Sequence, residues 1–97
     1  VHRLAWTLAT HPSAAVRNPK SALDLAAHFA RLDGAQKFEA LDLLAVAHAA
    51  NSAFEPAVRH AQQALAATGT NAAMAAEIRA RLALFQGGRP FIEGAAK

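Results

Sequence analysis

The residues of this chain with the greatest capacity for chemistry are its five histidines. His48 and His60 lie twelve residues apart on either side of a predicted turn, so antiparallel helices would bring their imidazoles close together. Zinc needs three or four ligands, and the sequence offers no obvious third ligand and no histidine pair at i, i+4. We therefore interpret His48 as a packed core residue and expect no metal site.

Nucleophilic catalysis has equally little support. The chain has no cysteine, and its hydroxyl nucleophiles are the threonines and three serines, Ser13, Ser21 and Ser52. None of them has glycine neighbours that would form a nucleophile elbow, or a nearby histidine–acid arrangement. Gly87-Gly88 follows a predicted helix rather than a strand, so it is not a phosphate-binding loop. We expect a non-catalytic protein without a cofactor.

The charged residues are typical of a solvated surface. The net charge is +3, but the ten basic residues are scattered among seven acids, so nucleic acid is not the expected partner. Two acids, Glu55 and Glu77, precede Arg59 and Arg81 by four residues, a spacing typical of surface pairs that support a helix. A small basic nucleic-acid-binding domain is the third of three hypotheses.

The apolar residues indicate closely packed helices. More than half of them are alanine, which has the highest helix propensity and a small volume that lets helices approach each other. The longest apolar runs, such as that from Leu43 to Ala47, are far shorter than the ~20 residues of a membrane span. Because the chain has no cysteine, its composition does not indicate an oxidising or a reducing compartment. We favour the cytoplasm over the periplasm.

The spacing of the apolar residues, together with the positions of proline and glycine, predicts five helices and no strand. Asn18-Pro19 is a strong start signal for the second helix, and Asn71 is a candidate cap for the fifth. Pro56 is tolerated because it lies in the first turn of the fourth helix. The predicted helices span about 2–10, 19–32, 37–50, 54–67 and 72–86, followed by a short tail whose apolar residues fold back onto the bundle.

The third and fourth helices resemble the tetratricopeptide repeat (TPR) family. The residues that carry this resemblance are Leu41, Leu44, Ala45, His48, Phe54, Ala57, Ala64 and Leu65. The small residues lie where helices of the family touch. The chain departs from the family at His48, which takes an aromatic's place, at Ser52, which replaces a turn glycine, and at Gly69, where proline often closes the unit.

The resemblance implies an all-α, right-handed antiparallel stack of helix-turn-helix repeats, an α-solenoid fragment. By this resemblance, 1–33 is an atypical repeat, 37–68 a full repeat, 71–87 a capping helix and 88–97 a tail. The chain looks like the last repeats of a longer bacterial protein, and we expect the native protein to extend beyond Val1.

The resemblance also implies a concave groove that binds a peptide or a partner domain. The groove positions of the family correspond here to Arg3, Trp6, Glu39, Asp42, Leu43, Val46, Ala49 and Ala50, with His2, Ala9, Thr10 and Arg79 as further candidates. We expect an apolar floor of Trp6, Val46 and Ala49 with an acidic rim at Glu39 and Asp42. A basic or amphipathic ligand would complement that rim.

Two hypotheses follow for function. The first is a protein–protein interaction scaffold that holds a protein or peptide partner in the groove. The alternative is a structural C-terminal cap or self-association segment of a larger protein. Trp6 fits both, because tryptophan is enriched at binding hot spots and can equally pack against a neighbouring repeat. Pairing through Trp6 and Leu4, or through the fifth helix, would give a homo-oligomer.

Overall fold

The computed structural model describes residues 2–13, 15–33 and 37–92, and all regular secondary structure in these residues is helical. The helices are α1 (His2–Thr10), α2 (Pro19–Asp33), α3 (Phe38–Ala50), α4 (Phe54–Ala67) and α5 (Ala72–Gln86). The prediction of an all-α chain with five helices is confirmed for this part of the sequence. The predicted bounds agree with the observed bounds to within one residue.

Two helices begin at the asparagines that the sequence predicts as caps. The backbone N–H of Ser21 donates to Oδ1 of Asn18 at 3.2 Å, and that of Met74 donates to Oδ1 of Asn71 at 3.1 Å. Each side chain therefore satisfies one of the N–H groups that a helix leaves unpaired in its first turn. Pro19 occupies the first position of α2, where its missing N–H has no cost.

The α3–α4 turn depends on a left-handed residue that is not glycine. Ser52 has a φ of 61°. The N–H of Ser52 donates to the carbonyl of Ala49, and the N–H of Ala53 donates to that of His48, both at 2.9 Å. These two bonds form the Schellman motif that ends many helices, in which glycine is the usual left-handed residue.

The five helices pack in two layers. Each helix packs against its neighbours in the chain, α3 also contacts α1 and α5, and α2 makes no contact with α4 within the described residues. Helices α1, α3 and α5 therefore form one layer, called here the odd layer, and the even helices α2 and α4 pack against it.

Alanines line the contacts between the layers. Ala45 on α3 and Ala57 and Ala64 on α4 are fully buried, as their positions on the apolar stripes of these helices predict. Their small side chains allow the two helices to approach closely, while Phe85 of α5 and Leu43 of α3 are the two largest fully buried side chains. No helix in the described residues is both long and apolar enough to cross a membrane.

Candidate functional site: a cavity across the odd layer

A cavity of about 350 Å³ opens across the three helices of the odd layer. It is called here the odd-layer cavity, and its lining residues are Arg3, Trp6, Phe38, Glu39, Asp42, Met74, Glu77 and Arg81. Within each helix these residues follow each other at intervals of one, three or four positions, which places them on one face. The alternation of the fold brings the three faces together, because every second helix belongs to the same layer.

A buried ion pair closes the base of the cavity. Arg81 of α5 donates from Nε to Oδ1 of Asp42 at 3.0 Å and from Nη2 to Oδ2 at 2.8 Å. The two side chains are only 8% and 9% exposed. A bidentate pair of this kind fixes the plane of the guanidinium as well as its position. The ion pair therefore joins α3 to α5 at a defined register.

Two aromatic rings pack beside the same guanidinium. The Arg81 Cζ lies 5.2 Å from the ring centroid of Trp6 and 5.3 Å from that of Phe91. The two ring centroids are 5.9 Å apart, with ring planes tilted by 59°. The three groups therefore form a nearly equilateral triangle rather than a sandwich. Both distances to the cation are within the range of a cation–π interaction.

Phe91 reaches this triangle because the chain reverses after α5. Gly88 has a φ of +73°, and the N–H of Arg89 donates to the carbonyl of Leu84 at 2.9 Å. Phe91 then packs against the core of the bundle. Next to it, Pro90 and Ile92 line a second cavity of about 290 Å³. The predicted return of the tail onto the bundle is confirmed for residues 89–92.

The structure brings together half of the predicted groove residues. Arg3, Trp6, Glu39 and Asp42 all line the odd-layer cavity. Arg3 and Glu39 are exposed, and Trp6 is half-buried. Asp42 corrects the expectation of an acidic rim, because it is buried and its charge is paired with Arg81. At the rim, the second carboxylate is that of Glu77.

The predicted apolar floor is wrong in two of its three residues. Val46 and Ala49 are 0% and 1% exposed, so they belong to the core and offer no accessible surface. Leu43 is likewise fully buried. Phe91 of the tail packs against the core cluster that contains all three. Ala50 is half-buried and lines the second cavity instead.

The further groove candidates lie elsewhere. Ala9 and Thr10 are buried, and the Thr10 hydroxyl donates to the carbonyl of Trp6 at 2.7 Å. Arg79 is exposed but does not line the odd-layer cavity. The side chain of His2 lies outside the described residues.

The interpretation of Glu77 and Arg81 as a surface pair is also wrong. Arg81 is buried and directs its guanidinium to Asp42, 39 residues earlier in the chain. The sequence contained a signal for this contact. Arg81 stands three residues after Ile78 and four before Phe85, on the buried stripe of α5. A charge on a buried stripe requires a partner, and the buried Asp42 is that partner in α3.

The two central histidines meet, as the sequence predicts. The rings of His48 and His60 stack with centroids 5.3 Å apart and planes 10° from parallel. Burial lowers the pKa of His48, and charge on His60 and Arg59 acts in the same direction. Burial also lowers the pKa of His60; the Gln63 side chain opposes this shift, and charge on Arg59 adds to it. The described residues contain no group of three or more potential metal ligands.

The charges that remain around the cavity favour a cationic ligand. Asp42 and Arg81 neutralise each other, which leaves the carboxylates of Glu39 and Glu77 against the single guanidinium of Arg3. Apolar surface comes from residues on all three helices, namely Trp6, Phe38 and Met74. This arrangement suits the binding of an apolar side chain with a positive charge beside it.

Comparison with protein-family models, with curated proteins and with solved structures finds no significant match. A function is therefore inferred from the geometry of this chain alone.

Proposed function

We propose that this chain is a non-catalytic protein–protein interaction scaffold with the architecture of a TPR-like stack. Three features support this architecture: the layers of odd and even helices, the buried alanines at Ala45, Ala57 and Ala64, and the contacts of α3 with both odd neighbours. In such a stack the odd helices provide the binding face, and α5 with its tail closes the end.

The observation that carries the proposal is the cavity that spans all three odd helices. Its volume of about 350 Å³ lies at the lower end of the range for small-molecule sites, so it accommodates one or two side chains of a peptide. The partner we propose is a segment that inserts an apolar side chain between Phe38 and Met74 and places a lysine or arginine near Glu39 and Glu77. Its backbone would run along the odd layer.

Charge complementarity gives this interaction a measurable signature. Attraction between a basic segment and the exposed carboxylates accelerates association and decreases with salt, since solvent-exposed charges are screened over about 10 Å at 0.1 M ionic strength. Insertion of the apolar side chain is much less sensitive to salt. The ligand should therefore bind faster at low salt, with a smaller change in its dissociation rate.

A display selection from a random peptide library tests this function. We expect the wild-type chain to enrich peptides with an apolar residue flanked by lysine or arginine. The Glu39→Lys/Glu77→Lys variant should lose these peptides, whereas the control Glu55→Lys, an exposed residue at the start of α4, should retain them. Enrichment of acidic peptides, or equal enrichment by both variants, would contradict the proposal.

A second candidate function is a structural cap or a self-association segment, which one observation favours. Leu4 on α1 and Val16 in the following loop are 55% and 42% exposed, unusually high for large apolar side chains. A further helix pair or a second copy covering α1 would bury them. Sedimentation of the wild type and of Leu4→Lys distinguishes the two. A dimer that the substitution dissociates supports self-association through α1, and a monomer at high concentration argues against it.

A further inference from the structure

We propose that the place occupied by Phe91 is a binding subsite for an aromatic side chain, and that the tail of the chain fills it until a partner segment displaces the tail. This inference rests on the proposed function, because it assigns a second anchor to the same partner. It also makes residues 89–92 an autoinhibitory contact on the odd layer.

The subsite is built largely without the tail. Its walls are the ring of Trp6 on α1 and the guanidinium of Arg81 on α5, both from helices. Asp42 fixes that guanidinium through two hydrogen bonds, so the cation keeps its orientation whether or not Phe91 is present. A preorganised cation beside an indole ring is a surface on which aromatic side chains of any source can stack.

The tail is held in this subsite by few interactions. Its last backbone hydrogen bond to the bundle, within the described residues, is that from Arg89 N–H to the Leu84 carbonyl. Beyond it, Phe91 and Ile92 are half-buried and Pro90 is exposed. The attachment of 90–92 therefore depends on packing of the two apolar side chains, which a competing segment can replace.

The subsite is continuous with the odd-layer cavity. Trp6 and Arg81 line that cavity on one side and contact Phe91 on the other. A further cavity of about 360 Å³ lies along Phe91 itself, bordered by Glu77 and Leu84. A partner segment that leaves the odd-layer cavity past Arg81 therefore meets the ring of Phe91. An aromatic residue in that segment can take the place of the ring.

Trp6 makes the subsite directly observable, because it is the single tryptophan of the chain. The probe is a blocked synthetic peptide with the sequence of residues 87–92, Gly-Gly-Arg-Pro-Phe-Ile, and its control carries alanine in place of phenylalanine. Both are titrated in the millimolar range into the wild-type chain and into Phe91→Ala, with Trp6 fluorescence as the readout. Circular dichroism confirms the fold of each protein.

We expect Phe91→Ala to bind the phenylalanine peptide at least tenfold more tightly than the wild type, because the attached tail competes at an effective concentration of about millimolar. The alanine peptide should leave Trp6 unchanged in both proteins. Equal responses of the two proteins, equal responses to the two peptides, or no response in Phe91→Ala would overturn the proposal. If Phe91→Ala does not fold, Phe91→Leu, which keeps apolar packing without an aromatic ring, replaces it with the same criteria.

A negative result in this titration does not imply a negative result in the display selection, because the two experiments test different residues. The tail peptide tests the place of Phe91 and makes no use of Glu39 or Glu77. Binding of the tail peptide without enrichment of basic peptides would retain the subsite and remove the proposed partner chemistry of the cavity. The reverse outcome would retain the scaffold and leave the tail as a permanent part of the fold.

Discussion

Arg81 and Asp42 form a buried, two-bond ion pair between the last and the central helix of the odd layer, with N···O distances of 3.0 and 2.8 Å. The same guanidinium contacts Trp6 of α1 and Phe91 of the tail. One side chain thus connects every helix of the odd layer with the tail. The shape of the odd-layer cavity depends on this connection.

Removal of either charge should destabilise the chain strongly. Arg81→Met removes both of these hydrogen bonds and the opposite charge from the buried carboxylate of Asp42, and Asp42→Leu removes them from the guanidinium. The expected loss is about 3–5 kcal/mol in the free energy of unfolding for each single variant. Urea denaturation followed by circular dichroism measures these losses.

The double variant Asp42→Leu/Arg81→Met is the control for this prediction. It leaves no uncompensated charge, so its loss should be clearly smaller than the summed losses of the single variants. Additive losses would show that the two residues act independently, contrary to the observed geometry.

Ser52→Gly should stabilise the chain by about 1 kcal/mol. Ser52 adopts a φ of 61°, a conformation that costs non-glycine residues roughly 1–2 kcal/mol. Glycine removes most of that cost, although it also increases the freedom of the unfolded chain. Thermal denaturation should show a higher melting temperature. Ser52→Ala is the matched control, and a melting temperature of Ser52→Gly at or below that of the wild type would contradict this account of the turn.

Enlarging the alanines between the layers should destabilise the fold. Ala57 and Ala64 are fully buried on α4, so leucine at either position overpacks the contact and costs roughly 1–3 kcal/mol. Ala66→Leu places the same side chain on an exposed position of α4 and should change little. Comparable melting temperatures for Ala64→Leu and Ala66→Leu would show that the packing assigned to α4 is wrong.

The stacked histidines should make stability depend on pH. The pKa values of both His48 and His60 are lowered in the fold, whereas an unfolded chain keeps histidine near about 6.5. The unfolded state therefore binds more protons, and stability falls as pH drops through about 6.5. The decrease levels off once the pH is below the lowered folded-state pKa values. Urea midpoints measured from pH 8 to pH 5 should show this profile.

His48→Phe tests the origin of this pH dependence. It removes one member of the pair and supplies the aromatic residue that the TPR-like pattern expects at this position, so the decrease below about pH 6.5 should become smaller. His28→Gln, on an exposed position of α2, should leave it unchanged. A decrease that persists in full in His48→Phe would assign the effect to other groups.

The helices were predictable because their signals are local. Asn18 and Asn71 are cap residues that bond within three positions, and the apolar stripes repeat every three or four residues. The burial of Ala57 and Ala64 also followed from the inner-face stripe of the fourth helix. Such signals depend on neighbours in the chain, and the structure confirms them almost residue by residue.

The site was only partly predictable because its decisive contacts are not local. Asp42 was expected at the rim, since its charge is normally solvated, and nothing within one turn indicated Arg81. Val46 was expected on the groove floor, but it lies in the core cluster against which the side chain of Phe91 packs from far along the chain. Periodicity places residues on a face but does not reveal what covers that face.

Binding of a peptide segment in the odd-layer cavity can be located residue by residue by NMR. Amide and indole chemical shifts of the ¹⁵N-labelled chain are mapped with a peptide from the display selection. We expect shifts concentrated at Trp6, Phe38, Glu39, Met74 and Glu77, and these shifts should disappear in the Glu39→Lys/Glu77→Lys variant. Shifts concentrated on α2 and α4, or around Leu4 and Val16, would contradict it.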